Sequence, residues 1–340
     1  MLFSIFMLAI GFVVLIKGGD WFVDGATGIA RRFHLPEILI GATVVSIGTT
    51  LPEVMVSAGA AAQGSGSIAY GNALGSIICN TALIAALTIA IKPGAAARKS
   101  LKVPVAFFFS AVAIYCAVAY IFGEFSRITG IILLSIFVIY MVTTVIRMKK
   151  SGADIETVQA EEEKGAIISE AELEAKSGED HVVESKEEGT KDSILKDIFL
   201  LILGAVLIAV GADLLVDHAT IIATELGVSE KVIGLTIVAL GTSLPEFVTA
   251  VTSLIKGHGS LSLGNIIGAN LIDLALILPL CSIVSGKELP IPASSRLVDM
   301  PVCLGIIALA LIPLFIRKKA SKIQGILMAV AYCVYIVMVV

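Results

Sequence analysis

The sequence predicts an all-α polytopic membrane protein with ten transmembrane helices in two inverted five-helix repeats. Of its 340 residues, 57% are hydrophobic and only 15% are charged, whereas about a quarter of the residues in soluble domains are charged. Apolar segments recur at lengths that cross a hydrocarbon layer of about 30 Å. One half of the chain also repeats the other at a constant offset, which is the signature of an internal duplication.

Hydropathy and helix-breaking residues place the transmembrane spans. The predicted spans are 2–30, 36–62, 68–91, 103–122, 128–147, 195–222, 230–255, 260–284, 298–316 and 323–340. The first span has no basic segment and no small-residue cleavage site before Lys17, so we expect a retained helix and not a signal peptide. The predicted domains are a first transmembrane repeat at 1–147, a linker at 148–193 and a second repeat at 194–340.

The linker differs from the rest of the chain in composition. Residues 148–193 contain fourteen Asp and Glu against six Lys and Arg, with too little apolar content for a hydrophobic core. No loop in it has the alternating Asp or Asn pattern of a calcium-binding EF-hand. We therefore expect a solvated acidic tether on the cytoplasmic side.

The two halves match at an offset of 193 residues without a gap. Residues 41–53, Gly-Ala-Thr-Val-Val-Ser-Ile-Gly-Thr-Thr-Leu-Pro-Glu, match residues 234–246, Gly-Leu-Thr-Ile-Val-Ala-Leu-Gly-Thr-Ser-Leu-Pro-Glu. The Gly71-Asn72 pair matches Gly264-Asn265 at the same offset, and Asn80 matches Asp273. The halves therefore derive from one duplicated unit.

Five helices per half is an odd number, so the second half must enter the membrane from the side opposite to the first. The distribution of Lys and Arg supports this inversion: with a cytoplasmic linker, most basic residues lie at inside helix ends, and the outside ends hold only Arg127, Lys231, Lys287 and Arg296, as the positive-inside rule requires. The sequence thus predicts an integral protein of the cell membrane with both termini outside. The bilayer is its predicted surrounding, and no nucleic-acid partner is predicted.

One motif occurs in both halves, as Gly48-Thr-Thr-Leu-Pro-Glu53 and Gly241-Thr-Ser-Leu-Pro-Glu246. Each copy places a carboxylic acid inside an apolar span, where a charge is costly and marks a functional position by default. Each Pro also removes one backbone hydrogen bond, which leaves the carbonyl of the Gly without its partner. Carbonyls, hydroxyls and a carboxylate on one helix suggest a cation site.

Helical spacing brings further oxygens to this site. Thr49 and Thr50 lie four and three residues before Glu53 and share its face; the second copy repeats the arrangement with Thr242, Ser243 and Glu246. On the helix that follows each motif, Ser76 and Asn80 are matched by Ala269 and Asp273. Two inverted copies should meet about a pseudo-two-fold axis near the bilayer midplane, where transporters bind their substrates.

The type of ligand selects the ion. Ca²⁺ takes about six to eight oxygen ligands in tolerant geometry, whereas Zn²⁺ and Cu prefer His or Cys, which this set lacks. Two Glu charges neutralise one Ca²⁺ and offset its desolvation, and the same oxygens suit Na⁺. The five cysteines have neither disulfide nor metal-ligand spacing, and no resident cofactor is predicted.

Together these residues resemble the cation/calcium exchanger superfamily, most closely sodium/calcium exchangers of prokaryotic type. The resemblance covers both five-helix halves and excludes the linker. It implies ten helices in inverted repeats and exchange of Ca²⁺ for Na⁺ by alternating access, with the first and sixth helices moving over a fixed core. The protein is accordingly expected to be a transporter and not an enzyme.

The resemblance also implies a ligand set, matched to this sequence by motif. Its members are the central acids Glu53 and Glu246, the Ca²⁺-binding hydroxyls of Thr49 and Thr242, the Na⁺-site hydroxyls of Thr50, Ser243 and Ser76, the backbone carbonyls of Ser46 and Ala239, and the polar pair Asn80 and Asp273 on the opposite wall. Two departures stand out: Ala269 replaces an expected Na⁺-site hydroxyl, and Ile77 replaces an expected Asn. They leave the driving ion open between Na⁺ and H⁺.

Other functions were weighed against this one. A proton/calcium antiporter or a K⁺-dependent sodium/calcium exchanger of the same fold would use the same acids. A cation channel fits less well, because interrupted helices around a central site favour an occluding carrier. An intramembrane peptidase lacks support, since the sequence has no Gly-x-Gly-Asp or His-Glu-x-x-His motif.

Overall fold

The computed structural model describes residues 1–64, 66–91, 98–149, 190–228, 239–317 and 320–339. These residues are almost entirely helical. Eight of their helices are long and apolar enough to cross a membrane, and two shorter apolar helices are Leu244–Ile255 and Lys322–Met338. Helices suit a bilayer because they satisfy their backbone hydrogen bonds internally. The predicted all-helical fold class is confirmed.

We number the helices in chain order. The first half contains α1 (Leu2–Arg32), α2 (Glu37–Ala62), α3 (66–91), α4 (Arg98–Ile121) and α5 (Arg127–Lys149). The second half contains α6 (Thr190–Glu225), α7 (239–255), α8 (Gly259–Val284), α9 (295–317) and α10 (Lys322–Val339). Two short strands are β1 (Glu124–Phe125) and β2 (Leu289–Pro290). Most of the predicted linker (150–189) and the start of the predicted seventh span (230–238, with Lys231) lie outside the described residues.

Four of the long helices contain π-helical turns within the described residues, and the one in α9 is Ser295–Asp299. In α3 the turn is Asn80–Ala85, and in α8 it is Asp273–Ile277. The two turns begin at residues related by the repeat offset. A third lies at Gly41–Val45 in α2, and its Ala42 carbonyl accepts a hydrogen bond from the Tyr140 hydroxyl at 2.7 Å. Wider turns of this type disturb the regular hydrogen-bond ladder and often occur at functional sites.

The two motif helices differ in continuity. In α2 the segment Ser46–Ala62 runs without interruption through Pro52. In α7 the helix stops at Thr242 and resumes at Leu244, with Ser243 at φ −94° and ψ 4° between the two parts. Pro245 therefore occupies the first turn of a new helix, a position that tolerates its missing N–H. The same motif is thus continuous in one repeat and broken in the other.

Helices α1 and α6 pack against each other in antiparallel orientation. A Cβ added to Gly18 would lie 2.7 Å from the backbone N of Ile208, and one added to Gly211 would lie 2.6 Å from the backbone N of Leu15. Only glycine permits backbones to approach this closely. Much of the outer surface of both helices is apolar and exposed, which suits a position facing lipid.

Helix α8 lies at the centre of the bundle, and most of its residues are buried. It packs tightly on α2: a Cβ added to Gly268 would lie 2.8 Å from Cα of Ala42, and one added to Gly264 would lie 3.1 Å from the Ala42 backbone N. Glycines therefore bring the helix that carries Asp273 against the helix that carries Glu53.

Contacts between the halves agree with the predicted inversion. Strand β1 pairs with β2 in antiparallel register, Phe125 opposite Leu289, and both were expected on one side of the membrane. The N-terminal amine lies 3.2 Å from Glu225, at the expected outer ends of α1 and α6. The guanidinium of Arg32 lies 3.3 Å from Asp197 at their inner ends. Segments predicted to share a side are in contact.

Candidate cation site

The acids Glu53 and Glu246 are fully buried and face each other's repeat. The Thr50 hydroxyl donates to Glu246 Oε1 at 2.9 Å, and the Ser243 hydroxyl donates to Glu53 Oε1 at 3.2 Å. Thr50 and Ser243 occupy matched positions, as do the two acids, so these hydrogen bonds are symmetry mates across the pseudo-two-fold axis. The two motifs therefore meet at one place in the protein interior.

A third hydroxyl approaches Glu53 from α3. Ser76 Oγ donates to Glu53 Oε1 at 2.7 Å. Its repeat mate is Ala269, a fully buried methyl group, which has no hydroxyl to offer Glu246. The site is thus symmetric in its acids and asymmetric in the donors beside them.

The remaining motif threonines contact two asparagines. Thr49 Oγ1 lies 3.3 Å from Asn265 Oδ1, and Thr242 Oγ1 lies 3.3 Å from Asn72 Oδ1. These bonds are also related by the offset of 193. The sequence prediction missed both asparagines as site residues, although their conservation between the two halves within Gly-Asn pairs was a usable signal.

Asymmetry appears again behind these asparagines. Asn72 Nδ2 donates to the Ser57 hydroxyl at 2.9 Å. At the matched position the second repeat has Ala250, and Asn265 Nδ2 is buried without a hydrogen-bond partner in the part of the chain that the structure describes. The Asn265 side chain is therefore held less firmly than its mate.

The backbone-carbonyl positions are placed as follows. The Ser46 carbonyl accepts the Thr49 hydroxyl at 3.3 Å, which directs this oxygen along the same side of α2 as the motif hydroxyls. Ala239 is the first described residue of α7, three residues before Thr242.

Asn80 and Asp273 line the opposite wall, at the first residues of the π-helical turns in α3 and α8. Both side chains are fully buried. Among the described residues, no hydroxyl, amide or backbone group hydrogen-bonds to either amide atom of Asn80 or to either carboxylate oxygen of Asp273. The carboxyl groups of Asp273 and Glu53 are also close electrostatic neighbours.

The site therefore contains several buried oxygens that accept no hydrogen bond from a hydroxyl, amide or backbone group of the described residues. They are Glu53 Oε2, Glu246 Oε2, Asn80 Oδ1 and both Asp273 oxygens. An unsatisfied buried polar group costs about 1–3 kcal/mol, and more if it is charged. A bound cation would satisfy these acceptors together.

The donor set fits a hard cation with mixed oxygen ligands. No group of three Asp, Glu, His or Cys side chains within the described ranges is placed to hold a metal ion by itself. A cation here would take hydroxyl, amide and carbonyl oxygens as well as carboxylates, which is the chemistry that Ca²⁺ and Na⁺ accept and Zn²⁺ does not.

Ten apolar helices over the described residues, arranged in two inverted halves around a buried cluster of oxygens, are typical of a membrane transporter for cations. Comparison with known proteins agrees. A family model described as sodium/calcium exchanger protein matches residues 3–146 and 196–340, and the chain belongs to this family. Because the family consists of transporters, the expectation that the protein is not an enzyme is confirmed.

Individual relatives span nearly the whole chain. An uncharacterized membrane protein of Methanocaldococcus jannaschii is 35% identical over 96% of this chain and 95% of its own length. The sodium/calcium exchanger MaX1 of Methanosarcina acetivorans is 29% identical over 97% of each chain. The solved structure of the sodium–calcium exchanger NCX_Mj, soaked with Na⁺ and Ca²⁺, aligns with a TM-score of 0.79 at 31% identity, over 99% of this chain and 98% of that one.

Proposed function

We propose that this protein is a secondary active antiporter that exchanges Ca²⁺ for Na⁺ across the cell membrane. The observation that carries the proposal is the pair of symmetry-related hydrogen bonds, Thr50 to Glu246 and Ser243 to Glu53, beside buried carboxylate oxygens without partners. The family of the chain and the names of its relatives MaX1 and NCX_Mj, both sodium/calcium exchangers, support the choice of ions.

In this proposal the ligands divide by ion. Glu53 and Glu246 bind Ca²⁺ or Na⁺ in alternation, because their two charges match one Ca²⁺ and are also available to Na⁺. The supporting oxygens are the hydroxyls of Thr49 and Thr242 for Ca²⁺, the hydroxyls of Thr50, Ser243 and Ser76 for flanking Na⁺, the carbonyls of Ser46 and Ala239, and the side chains of Asn80 and Asp273.

Alternating access follows from the two-part architecture. The site lies between α2, α3, α7 and α8, whereas α1 and α6 pack on each other at the lipid-facing surface through glycine contacts. Because these contacts hold α1 and α6 together, the two helices can shift as a unit relative to the core. This shift opens the site first to one side of the membrane and then to the other. The inverted repeat provides one entrance on each side of the membrane for this movement.

The proposed topology follows the distribution of basic residues. The linker lies in the cytoplasm, and both termini lie outside. Two ion pairs support this topology, because each joins helix ends that are predicted to lie on the same side of the membrane. They are Arg32 with Asp197 and the N-terminal amine with Glu225.

A transport assay with purified protein in sealed liposomes tests the function. Uptake of ⁴⁵Ca²⁺ is measured with an outward Na⁺ gradient, with an outward H⁺ gradient, and with Na⁺ in the presence or absence of K⁺. Sodium-driven uptake that is independent of K⁺ and of the pH gradient is the expected result.

The second candidate, a proton/calcium antiporter, is favoured by one observation: Ala269 stands at the repeat position of Ser76, whose hydroxyl donates to the acid of the first motif. Uptake driven by the pH gradient and not by Na⁺ would establish that alternative. If neither gradient drives Ca²⁺ uptake, the exchange proposal is wrong.

A further inference from the structure

Helix α7 carries buried hydroxyls beyond the central site that the exchange mechanism above does not use. Thr249 and Ser253 are both fully buried, and neither side-chain oxygen has a hydrogen-bond partner within the described ranges of the chain. Both residues follow Glu246 in the direction of the C-terminal end of α7.

Hydroxyls without partners are unusual inside a helix. Ser and Thr commonly bond the carbonyl one turn earlier, and in this protein Thr27 bonds the Val23 carbonyl at 2.8 Å and Thr43 bonds the Leu39 carbonyl at 2.7 Å. Thr249 and Ser253 form no such bond. Their oxygens therefore remain available to another ligand.

These hydroxyls continue one face of the helix away from Glu246. At about 100° per residue, Glu246, Thr249, Ser253 and Lys256 fall within roughly 80° of one another. The adjoining face of α7 packs on α1, where Val248 Cγ1 and Thr252 Oγ1 lie 2.6 Å and 3.1 Å from a Cβ added to Gly19. We call the face formed by Glu246, Thr249, Ser253 and Lys256 the polar face of α7. It runs beside the α1 contact.

Lys256 closes the end of this face. Its Nζ lies 2.8 Å from Asp24 Oδ1 and 3.5 Å from Asp20 Oδ1, and it donates to the Asp20 carbonyl at 2.9 Å. Both aspartates belong to α1, so these contacts join the core helix α7 to a helix of the mobile pair. The Arg32–Asp197 ion pair instead joins α1 to α6 and would travel with them.

The first repeat has no equivalent of the polar face. By the offset of 193, the mates of Thr249, Ser253 and Lys256 are Val56, Ala60 and Gln63. Val56 is half exposed on the surface of α2. The feature therefore belongs to one side of the membrane only and is not a product of the duplication.

We propose that the polar face of α7 is the ion route between the central site and the cytoplasm, and that Lys256 is its removable plug. The hydroxyls of Thr249 and Ser253 replace water around a partly dehydrated cation on its way to Glu246. When α1 moves, the ammonium group leaves Asp20 and Asp24. Asp20 keeps its ion pair with Lys17 at 3.8 Å, and the Asp24 carboxylate then attracts cations to the entrance. This inference rests on the proposed function and topology.

The first test measures access and does not need transport. Ser253→Cys is combined with native Lys256, with Lys256→Gln or with Lys256→Arg, and labelled by a membrane-impermeant cationic thiol reagent applied from either side. The chain without the new cysteine corrects for the five native ones. We expect Lys256→Gln to accelerate cytoplasmic labelling by about fivefold or more, the scale of a lost charge-assisted contact, and Lys256→Arg to leave it near the native rate.

Two labelling results would overturn the route. One is an equal rate with Lys256 and with Lys256→Gln. The other is labelling from the extracellular side alone.

The second test measures transport with Ca²⁺ supplied on one side of the membrane at a time. The double variant Thr249→Val, Ser253→Ala removes two hydroxyls with little change of shape, and Thr252→Val is the matched control on the α1-facing side. We expect the double variant to weaken apparent Ca²⁺ affinity at the cytoplasmic face by about threefold or more, with the extracellular face and the control unchanged.

Equal weakening at both faces, or none, would contradict the route. If the native protein moves no Ca²⁺ with any gradient, the exchange proposal fails, whereas the labelling experiment still decides whether the polar face opens to the cytoplasm.

Discussion

Glu53 and Glu246 each keep one carboxylate oxygen for hydroxyl donors and one oxygen without a partner. Such a pair is unstable as two bare charges in a protein interior, because each charge loses its hydration. A divalent cation between them removes this cost. At the scale of single residues, the acids and their cross-repeat donors are therefore the centre of the proposed chemistry.

Replacing either acid by its amide tests that assignment. Glu53→Gln or Glu246→Gln keeps the shape and removes a charge, and loss of one member of a buried charge set costs about 3–5 kcal/mol. We expect Ca²⁺ exchange in liposomes to fall by about 100-fold or more in each variant. Glu37→Gln, at the start of the same helix as Glu53, should exchange at the native rate; normal exchange by both site variants would show that the ligands lie elsewhere.

Ala269 offers a test of Na⁺ binding. Ala269→Ser adds the hydroxyl that Ser76 provides in the other repeat, so we expect the Na⁺ concentration for half-maximal exchange to fall by about threefold, the effect of one added oxygen ligand. The reciprocal variant Ser76→Ala should raise it. Sodium-dependence curves of Ca²⁺ uptake provide the measurement, and unchanged curves for both variants would exclude these positions from Na⁺ binding.

At the scale of elements, the close contact between α1 and α6 depends on glycines, which have no side chain to hold the helices apart. Gly18 faces the backbone of Ile208, so a larger residue there must push the helices apart. Overpacking of this kind costs about 1–3 kcal/mol. A pair held together by close backbone approach is suited to the shared movement relative to the core that we propose above.

Gly18→Val is accordingly expected to lower both the melting temperature in detergent and the rate of Ca²⁺ exchange. Gly59→Ala is the control, because a Cβ at Gly59 of α2 meets nothing within 4 Å and Ala favours the helix over Gly by about 1 kcal/mol. Thermal unfolding followed by fluorescence would compare the melting temperatures of Gly18→Val and Gly59→Ala. Equal stability of Gly18→Val and the native protein would show that α1 and α6 are not packed this closely.

The strands β1 and β2 place two acids side by side outside the membrane spans. A hydrogen bond to Glu288, together with its charge, raises the pKa of Glu124 above its ordinary value. For an acid with a raised folded-state pKa, the folded state holds the proton more strongly than the unfolded state, so its contribution to stability is lost as the pH rises toward that pKa. The pairing of β1 with β2 should therefore weaken as the pH rises from the ordinary pKa of a glutamate toward the raised pKa of Glu124.

Glu288→Gln removes the neighbouring charge and should return the pKa of Glu124 to its usual range. Carboxyl ¹³C NMR of selectively labelled protein would follow the titration directly. If the titration midpoint of Glu124 is the same in Glu288→Gln as in the native protein, Glu124 is not hydrogen-bonded to Glu288.

At the scale of the whole molecule, inversion of the two halves is what joins one motif to its copy. Strand pairing, the Arg32–Asp197 ion pair and the contact of the N-terminus with Glu225 each connect segments predicted on a common side. These contacts define which segments share a side, and the basic residues supply the orientation.

Reporter fusions test the proposed orientation. Alkaline phosphatase fused after Val340 should be active, because it folds outside the cytoplasm, and green fluorescent protein at the same place should be dark. In fusions within the linker at 148–193, the phosphatase should be inactive and the green fluorescent protein should be bright. An inactive phosphatase with a bright fluorescent protein at the C-terminus would reverse the topology.

The sequence by itself predicted ten membrane helices with two buried acids, and the predicted ends agree approximately with the helix ends wherever the structure describes them. The predicted span 36–62 became Glu37–Ala62, and 260–284 became Gly259–Val284, because hydropathy reports directly on the bilayer thickness that each helix must cross. The internal repeat then paired Glu53 with Glu246 without any knowledge of their distance.

Only the tertiary structure decided which helix each polar group meets. It placed Thr49 against Asn265 and Thr242 against Asn72, started π-helical turns at Asn80 and Asp273, and broke the second motif at Ser243 but not the first at Thr50. These outcomes depend on what the neighbouring helix presents. Local propensity within one segment carries no record of that neighbour, so nearly identical motifs can differ in backbone geometry.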